Sequence, residues 1–116
     1  MELSKASELL AALGHESRLA VFRTLVEAGP EGRHATAIGE HLGIAAPTLS
    51  FHLAHLVRVG LIRGTRSSRF IHYAADYALM DELLAFLTAN CCQGGDCLPR
   101  ARARATTAKR RAKATA

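Results

Sequence analysis

At 116 residues the chain can bury one hydrophobic core and has no room for a second of ordinary size, so one globular domain with tails is expected. Its net charge of +5 conceals opposed regions: residues 1–97 hold eight Lys and Arg against ten Asp and Glu, whereas residues 98–116 hold seven basic residues and no acid. No apolar run approaches the roughly 18 residues of a membrane span, and "MELSKASELLAALGHESR" lacks the basic start and unbroken apolar stretch of a leader, so the chain reads as cytoplasmic with no membrane partner.

Apolar residues from Leu9 through Leu13 predict a first short helix, broken by Gly14. A second helix starts near His15 and Glu16, with Leu19, Phe22 and Leu25/Val26 on its inward face, and stops at Gly29-Pro30. "TAIGEHLG" predicts a helix of about two turns with Ala37, Ile38 and Leu42 inward. Pro47 then suits the first turn of another helix, where a missing N–H costs nothing. In that helix Leu49, Leu53 and Leu56 stand at i, i+4 and i+7 and form one buried stripe. Thr48, Phe51, His55 and Arg58 face outward, with Ser50 and His52 on the flanks. An exposed phenylalanine and two histidines on so lightly charged a helix are expected only where something docks.

Gly60 closes that helix, and "LIRGTRSSRFIHY" reads as two β-rich runs, Leu61 to Thr65 and Arg69 to Tyr73, around a turn-forming "RSS". Arg58, Arg63, Arg66 and Arg69 are consecutive charges with no acid between them. "DYALMDELLAFLTAN" resumes helical spacing, with Tyr77, Met80, Leu84 and Leu87 on one face and Leu83 and Phe86 beside it. So wide an apolar surface exceeds what one side of a small monomer covers, and a second copy is the economical explanation. Past Pro99 the composition collapses to Ala, Arg, Lys and Thr, a basic tail expected to be disordered.

A short helix joined by a few residues to a helix with a polar outer face is the helix-turn-helix unit, and an arginine-tipped hairpin directly after it makes a wing. "ALGHESRLAVFRTL", "IGEHLGIAAPTLSFHLAHLVRVGLI" and "SRFIHY" resemble the ArsR/SmtB family of winged-helix repressors over roughly residues 7–90. The resemblance implies a mainly α fold with a β-hairpin wing and a homodimer formed through the first and last helices. It also implies double-stranded operator DNA that is released when a metal or metalloid binds. It places Thr48, Ser50, Phe51 and His52 on the DNA-reading helix and Arg66 and Arg69 on the wing; His55 and Arg58 are added from the geometry of the helix face. The chain departs from the family at two known sensor positions. "HATAIGEHLG" holds no cysteine, and Asp76, Asp81 and Glu82 on the last helix have no histidine among them.

Every cysteine lies in "NCCQGGDC", as Cys91, Cys92 and Cys97. In a reducing compartment an odd cluster of three points to metal, metalloid or redox chemistry. Gly94 and Gly95 permit a chain reversal that brings Cys97 toward the vicinal pair. Three soft ligands without a fourth suit trivalent arsenic, and antimony nearly as well, better than zinc, which completes a tetrahedron in structural sites. Family members with a vicinal pair and a third cysteine beyond the last helix respond to arsenite, so arsenite as inducer of arsenic-resistance genes is the expectation. Other thiophilic ions with Asp96 or a partner-chain ligand, a redox switch in which Cys97 resolves a sulfenate at Cys91 or Cys92, and constitutive DNA binding without regulation stay open.

The expected organisation is a DNA-binding and dimerisation domain over residues 1–90, a cysteine-rich sensor segment over 91–98 and a basic tail over 99–116. No nucleophile, base and orienting group recur at a recognisable spacing, so neither an enzyme nor a catalytic cofactor is expected. His15, His34, His41 and His72 read as surface or packing residues.

Overall fold

The computed structural model of the chain describes residues 1–94. Their order is α1 (Leu3–Leu13), α2 (Glu16–Ala28), β1 (Arg33–His34), α3 (Ala35–Leu42), α4 (Ala46–Val59), β2 (Ile62–Ser67), β3 (Phe70–Ala75) and α5 (Tyr77–Thr88), followed by a single 3-10 turn at Cys91–Gly94. The chain divides into two units, Met1–Leu84 and Ala85–Ala116, with the boundary inside α5. Cys97 and the basic tail lie outside the described residues. Among the described residues no single helix is long and apolar enough to cross a membrane.

The core of the first unit is built where helical spacing stacks apolar side chains. Ala6, Leu9 and Ala12 of α1 are buried at intervals of three, and Leu49, Leu53, Leu56 and Val59 of α4 form the stripe that their spacing predicts. Ile38 of α3 and Leu25 of α2 close the space between them with no exposed surface. Each fully buried leucine or isoleucine contributes roughly 1.5–3 kcal/mol relative to exposure. Polar links fix how the helices meet. Lys5 Nζ donates to the Val59 carbonyl at 2.9 Å, and Arg18 Nε donates to the Ala12 carbonyl at 2.6 Å. Both cations neutralise the partial negative charge at a helix C-terminus.

Three inward faces differ from the sequence expectation. α1 starts at Leu3, well before the apolar run at Leu9, because Ala6 packs fully buried one turn earlier and an alanine gives no hydropathic signal. Leu19 is exposed, since α2 turns Val21, Phe22 and Leu25 inward. On α5 the inward residue is Leu83, while Leu84 and Leu87 are exposed. Two anchors near the start of α5 set that rotation. Tyr77 Oη donates to the Val26 carbonyl at 2.9 Å, and Asp76 Oδ1 accepts the Leu79 N–H at 3.0 Å.

The joints around α4 are closed by backbone. Gly60 takes φ 90°, its N–H bonds the Val57 carbonyl and the Leu61 N–H bonds the Leu56 carbonyl, each at 3.0 Å. This is the paired pattern of a Schellman cap, with buried Leu56 and Leu61 as its apolar contact. The chain then enters a three-stranded antiparallel sheet of order β1-β3-β2. The β2–β3 register runs from Ile62↔Ala75 to Ser67↔Phe70, leaving a two-residue turn in which Ser68 adopts φ 57°. The hairpin is therefore longer than its sequence suggests. β1 pairs Arg33 with Tyr73 and His34 with His72, a strand too short for any periodicity to announce. Gly32 makes that pairing possible: at φ 70° a Cβ there would collide with the Tyr73 carbonyl oxygen.

Candidate nucleic-acid interface

α3 and α4 are joined by Gly43, Ile44 and Ala45, with Gly43 left-handed at φ 67° and the Ile44 N–H bonded to the Gly39 carbonyl at 3.1 Å. This tight turn holds α4 by its N-terminal end while its leucine stripe grips the core. Thr48, Ser50, Phe51 and Arg58 are consequently exposed, Phe51 at 70%. Ala54 and Val57, which the sequence pattern did not single out, complete the outward face. Helical spacing from Ser50 would have found them.

One of the residues expected to reach DNA is turned inward. His52 is buried at 6% exposure, its ring 4.9 Å from that of His15, whose Nδ1 in turn accepts the Ser17 N–H and caps α2. His52 Nδ1 is buried without a hydrogen-bond partner among the described residues. Burial first, then the charges of His15, Arg18 and His55, hold its pKa below the ordinary histidine value. His55 is half-buried and lowered for similar reasons, by burial and then Arg18 and Arg58, with Glu8 opposing. The leucine stripe is wide enough to draw position 52 inward, a rotation that one sequence resolves poorly.

The wing supplies charge. Arg66 and Arg69 are exposed at the hairpin end, and no ion pair among the described residues engages them or Arg58. Arg63 differs, because its guanidinium meets Asp76 Oδ2 at 3.3 Å. Asp76 thus caps α5 and neutralises the wing base together. α4 and the wing share one surface, where Ser50, Ala54, Val57, Arg58, Ile71 and Tyr73 line a groove of about 430 Å³. His34 and His72, read as surface or packing residues, meet edge to face with ring centroids 5.5 Å apart on the β1–β3 pair, and the Phe70 ring lies 5.4 Å from His34.

In the second unit, Cys91 and Cys92 follow the end of α5, their sulfurs 3.8 Å apart. Asn90, Cys92 and Gln93 hold left-handed φ between 53° and 58°, where non-glycine residues are uncommon, and Gly94 follows at φ 94°. The expected approach of Cys97 through Gly94 and Gly95 lies outside the described residues from Gly95 onward. Cys91 carries a free thiol and Cys92 is disulfide-bonded. Among the described residues no group of three or more His, Cys, Asp or Glu is placed to hold a metal ion.

A helix-turn-helix domain family matches residues 13–65, from the end of α1 into β2. Solved structures share the fold. The transcriptional repressor BigR from Xylella fastidiosa is 29% identical, covers 77% of this chain and 88% of its own, and superposes with a TM-score of 0.60. An ArsR-like transcriptional regulator from Rhodococcus sp. RHA1 is 23% identical over 95% of this chain and 89% of its own, with a TM-score of 0.63. A homodimeric winged helix-turn-helix DNA-binding domain from Mycobacterium bovis is 22% identical over 80% and 86%, with a TM-score of 0.60. No curated protein matches the sequence.

Proposed function

We propose that this chain, which shares its winged helix-turn-helix fold with ArsR-like regulators, is a homodimeric DNA-binding repressor of that type that releases its operator when trivalent arsenic binds Cys91, Cys92 and Cys97. The observation that carries the DNA reading is the continuous surface from α4 onto an arginine-bearing wing. Thr48, Ser50, Phe51 and Arg58 meet the major groove, and Arg66 and Arg69 meet flanking phosphate. Buried His52 supports the helix from behind, and half-buried His55 stands at the edge of the reading face. Two copies joined through α1 and α5 would address half-sites about one helical turn apart. The homodimeric relative and the exposed Leu3, Leu10 and Leu84 support that pairing.

The sensing step is argued from the cysteines. The Cys91 and Cys92 sulfurs are close enough for one ion to meet both, on a left-handed turn that directly follows the last helix. With Cys97 as third ligand, three thiols displace the three hydroxyls of arsenous acid as water, without change of oxidation state. The Cys92 disulfide must be reduced first, so binding requires a reducing medium. Capture of the ion would stiffen the end of the dimerisation helix and move the reading heads out of register. A coupling of about 1–3 kcal/mol, roughly 5- to 150-fold in operator affinity, suffices.

That disulfide also favours a second reading, in which thiol oxidation replaces ion binding as the signal. One titration separates the two. Operator binding is followed by fluorescence anisotropy with the DNA upstream of the protein's own gene, adding arsenite under reducing conditions and peroxide in a parallel series. Arsenite release by the parent and resistance of Cys91→Ser, Cys92→Ser and Cys97→Ser supports the metalloid switch. Release by peroxide alone replaces it with the redox switch.

A further inference from the structure

Thr48, Ser50 and Arg58 are the only polar side chains exposed on α4. Bases differ in what they ask of a reading helix. Guanine is read by Arg or Lys, adenine by Asn or Gln and cytosine by Asp or Glu, while thymine offers a C5-methyl group to apolar atoms. Between Ala46 and Val59 there is no Lys, Asn, Gln, Asp or Glu. The one arginine, Arg58, stands in the last turn of α4, whereas a helix-turn-helix brings the N-terminal half of its second helix to the bases. His52, the imidazole nearest that half, is buried against His15. What remains there is two hydroxyls, which suit any base, and the Phe51 ring.

Phe51 stands outside the core, its ring edge to face with His52 at 6.2 Å. Leu49, Leu53 and Leu56 fill the stripe toward the core, while Phe51 keeps 70% of its surface in solvent. Its apolar neighbours continue the surface it starts: Ala54 lies one turn on, Val57 a turn further at 41% exposure, and both lead into the groove closed by Ile71 and Tyr73. Arg58 lines that groove and Arg66 and Arg69 are exposed on the wing that carries its far wall, which supplies the charge that a duplex requires and a hydrophobic protein partner does not.

We infer that the regulator selects its operator through thymine: C5-methyl groups in each half-site pack on Phe51 and the adjoining Ala54 and Val57. The inference rests on the DNA-binding reading above and adds the chemistry of base selection to it. Thr48 and Ser50 supply hydrogen bonds that fix register without strong choice, so methyl contact carries discrimination, and removing one methyl costs roughly fourfold in affinity, the scale of one apolar carbon withdrawn from water.

The test uses the full chain and a randomised duplex library, from which bound sequences are enriched. The enriched duplex is then remade with deoxyuridine in place of each thymine in turn, which deletes the methyl and keeps the base pair. At one or two positions per half-site the parent should lose roughly fourfold per methyl, and Phe51→Ala should bind the thymine and uracil duplexes alike. Enriched half-sites without thymine, indifference to uracil at every position, or a Phe51→Ala variant that still discriminates would overturn the inference while leaving the regulator reading intact. A change of oligomeric state in Phe51→Ala without change in base choice would assign the ring to a contact between copies and also overturn it. Failure to enrich any sequence would remove the operator-binding reading along with it.

Discussion

Burial, together with the charges of His15, Arg18 and His55, keeps the His52 imidazole below the ordinary value of 6.5. The unfolded chain regains that ordinary value, so as pH falls below it the unfolded state takes up a proton that the folded state resists. Stability contributed by neutral His52 is therefore complete above about pH 6.5 and declines as pH falls. The thermal midpoint of the parent should drop between about pH 7.5 and pH 5.5, and His52→Gln should shrink that drop. A parent midpoint that does not move over the interval would show that the buried ring is protonated without penalty. His55 shifts in the same direction but is only half-buried, so its replacement should change the profile less. The sequence presented His52 as one polar residue beside a leucine stripe. Its role as packing came from contact with His15, thirty-seven positions away in sequence, which no local pattern encodes.

At the scale of the elements, the wing is a hairpin whose end is charged and whose base is neutralised. Arg66 and Arg69 have no acid partner among the described residues, whereas Arg63 is held by Asp76. Replacing Arg66 and Arg69 together by alanine should lower the slope of log affinity against log salt by about 0.9 for each phosphate that is no longer neutralised, with base choice preserved. An unchanged slope in a filter-binding salt series would remove the wing from the interface. Asp76→Ala provides the complement. It frees Arg63 and should steepen the same slope, while loss of the α5 cap lowers stability by about 1 kcal/mol in urea unfolding. The hairpin was readable because β-rich runs flank turn residues, and its arginines were readable as charges. The neutralisation of one of them was not, since Asp76 lies beyond the opposite strand and reaches Arg63 only when β2 and β3 pair.

For the whole molecule, apolar residues on two helices are left exposed, as the proposed homodimer requires. Leu3 and Leu10 on α1 and Leu84 on α5 remain 76%, 43% and 43% exposed, although both helices also supply buried core residues. Covering such faces with a second copy is the proposed reason for their composition. Leu10→Glu combined with Leu84→Glu should convert a dimer into a folded monomer in sedimentation velocity and cost most of the operator affinity, because two half-sites then bind independently. A dimer that survives both charges would place the pairing surface elsewhere.

Sequence alone determined the five helices, the leucine stripe of α4, the arginine-bearing hairpin, the clustered thiols and the family resemblance, because these are local patterns of spacing and composition. Tertiary structure decided which way each helix turns. It buried His52, exposed Leu19, Leu84 and Val57, and paired a two-residue strand with β3 through the left-handed Gly32. The physical reason is that an inward face is settled by what packs against it. Hydropathic periodicity locates an apolar stripe to within about one residue of rotation, and only contact between distant segments removes that remaining freedom.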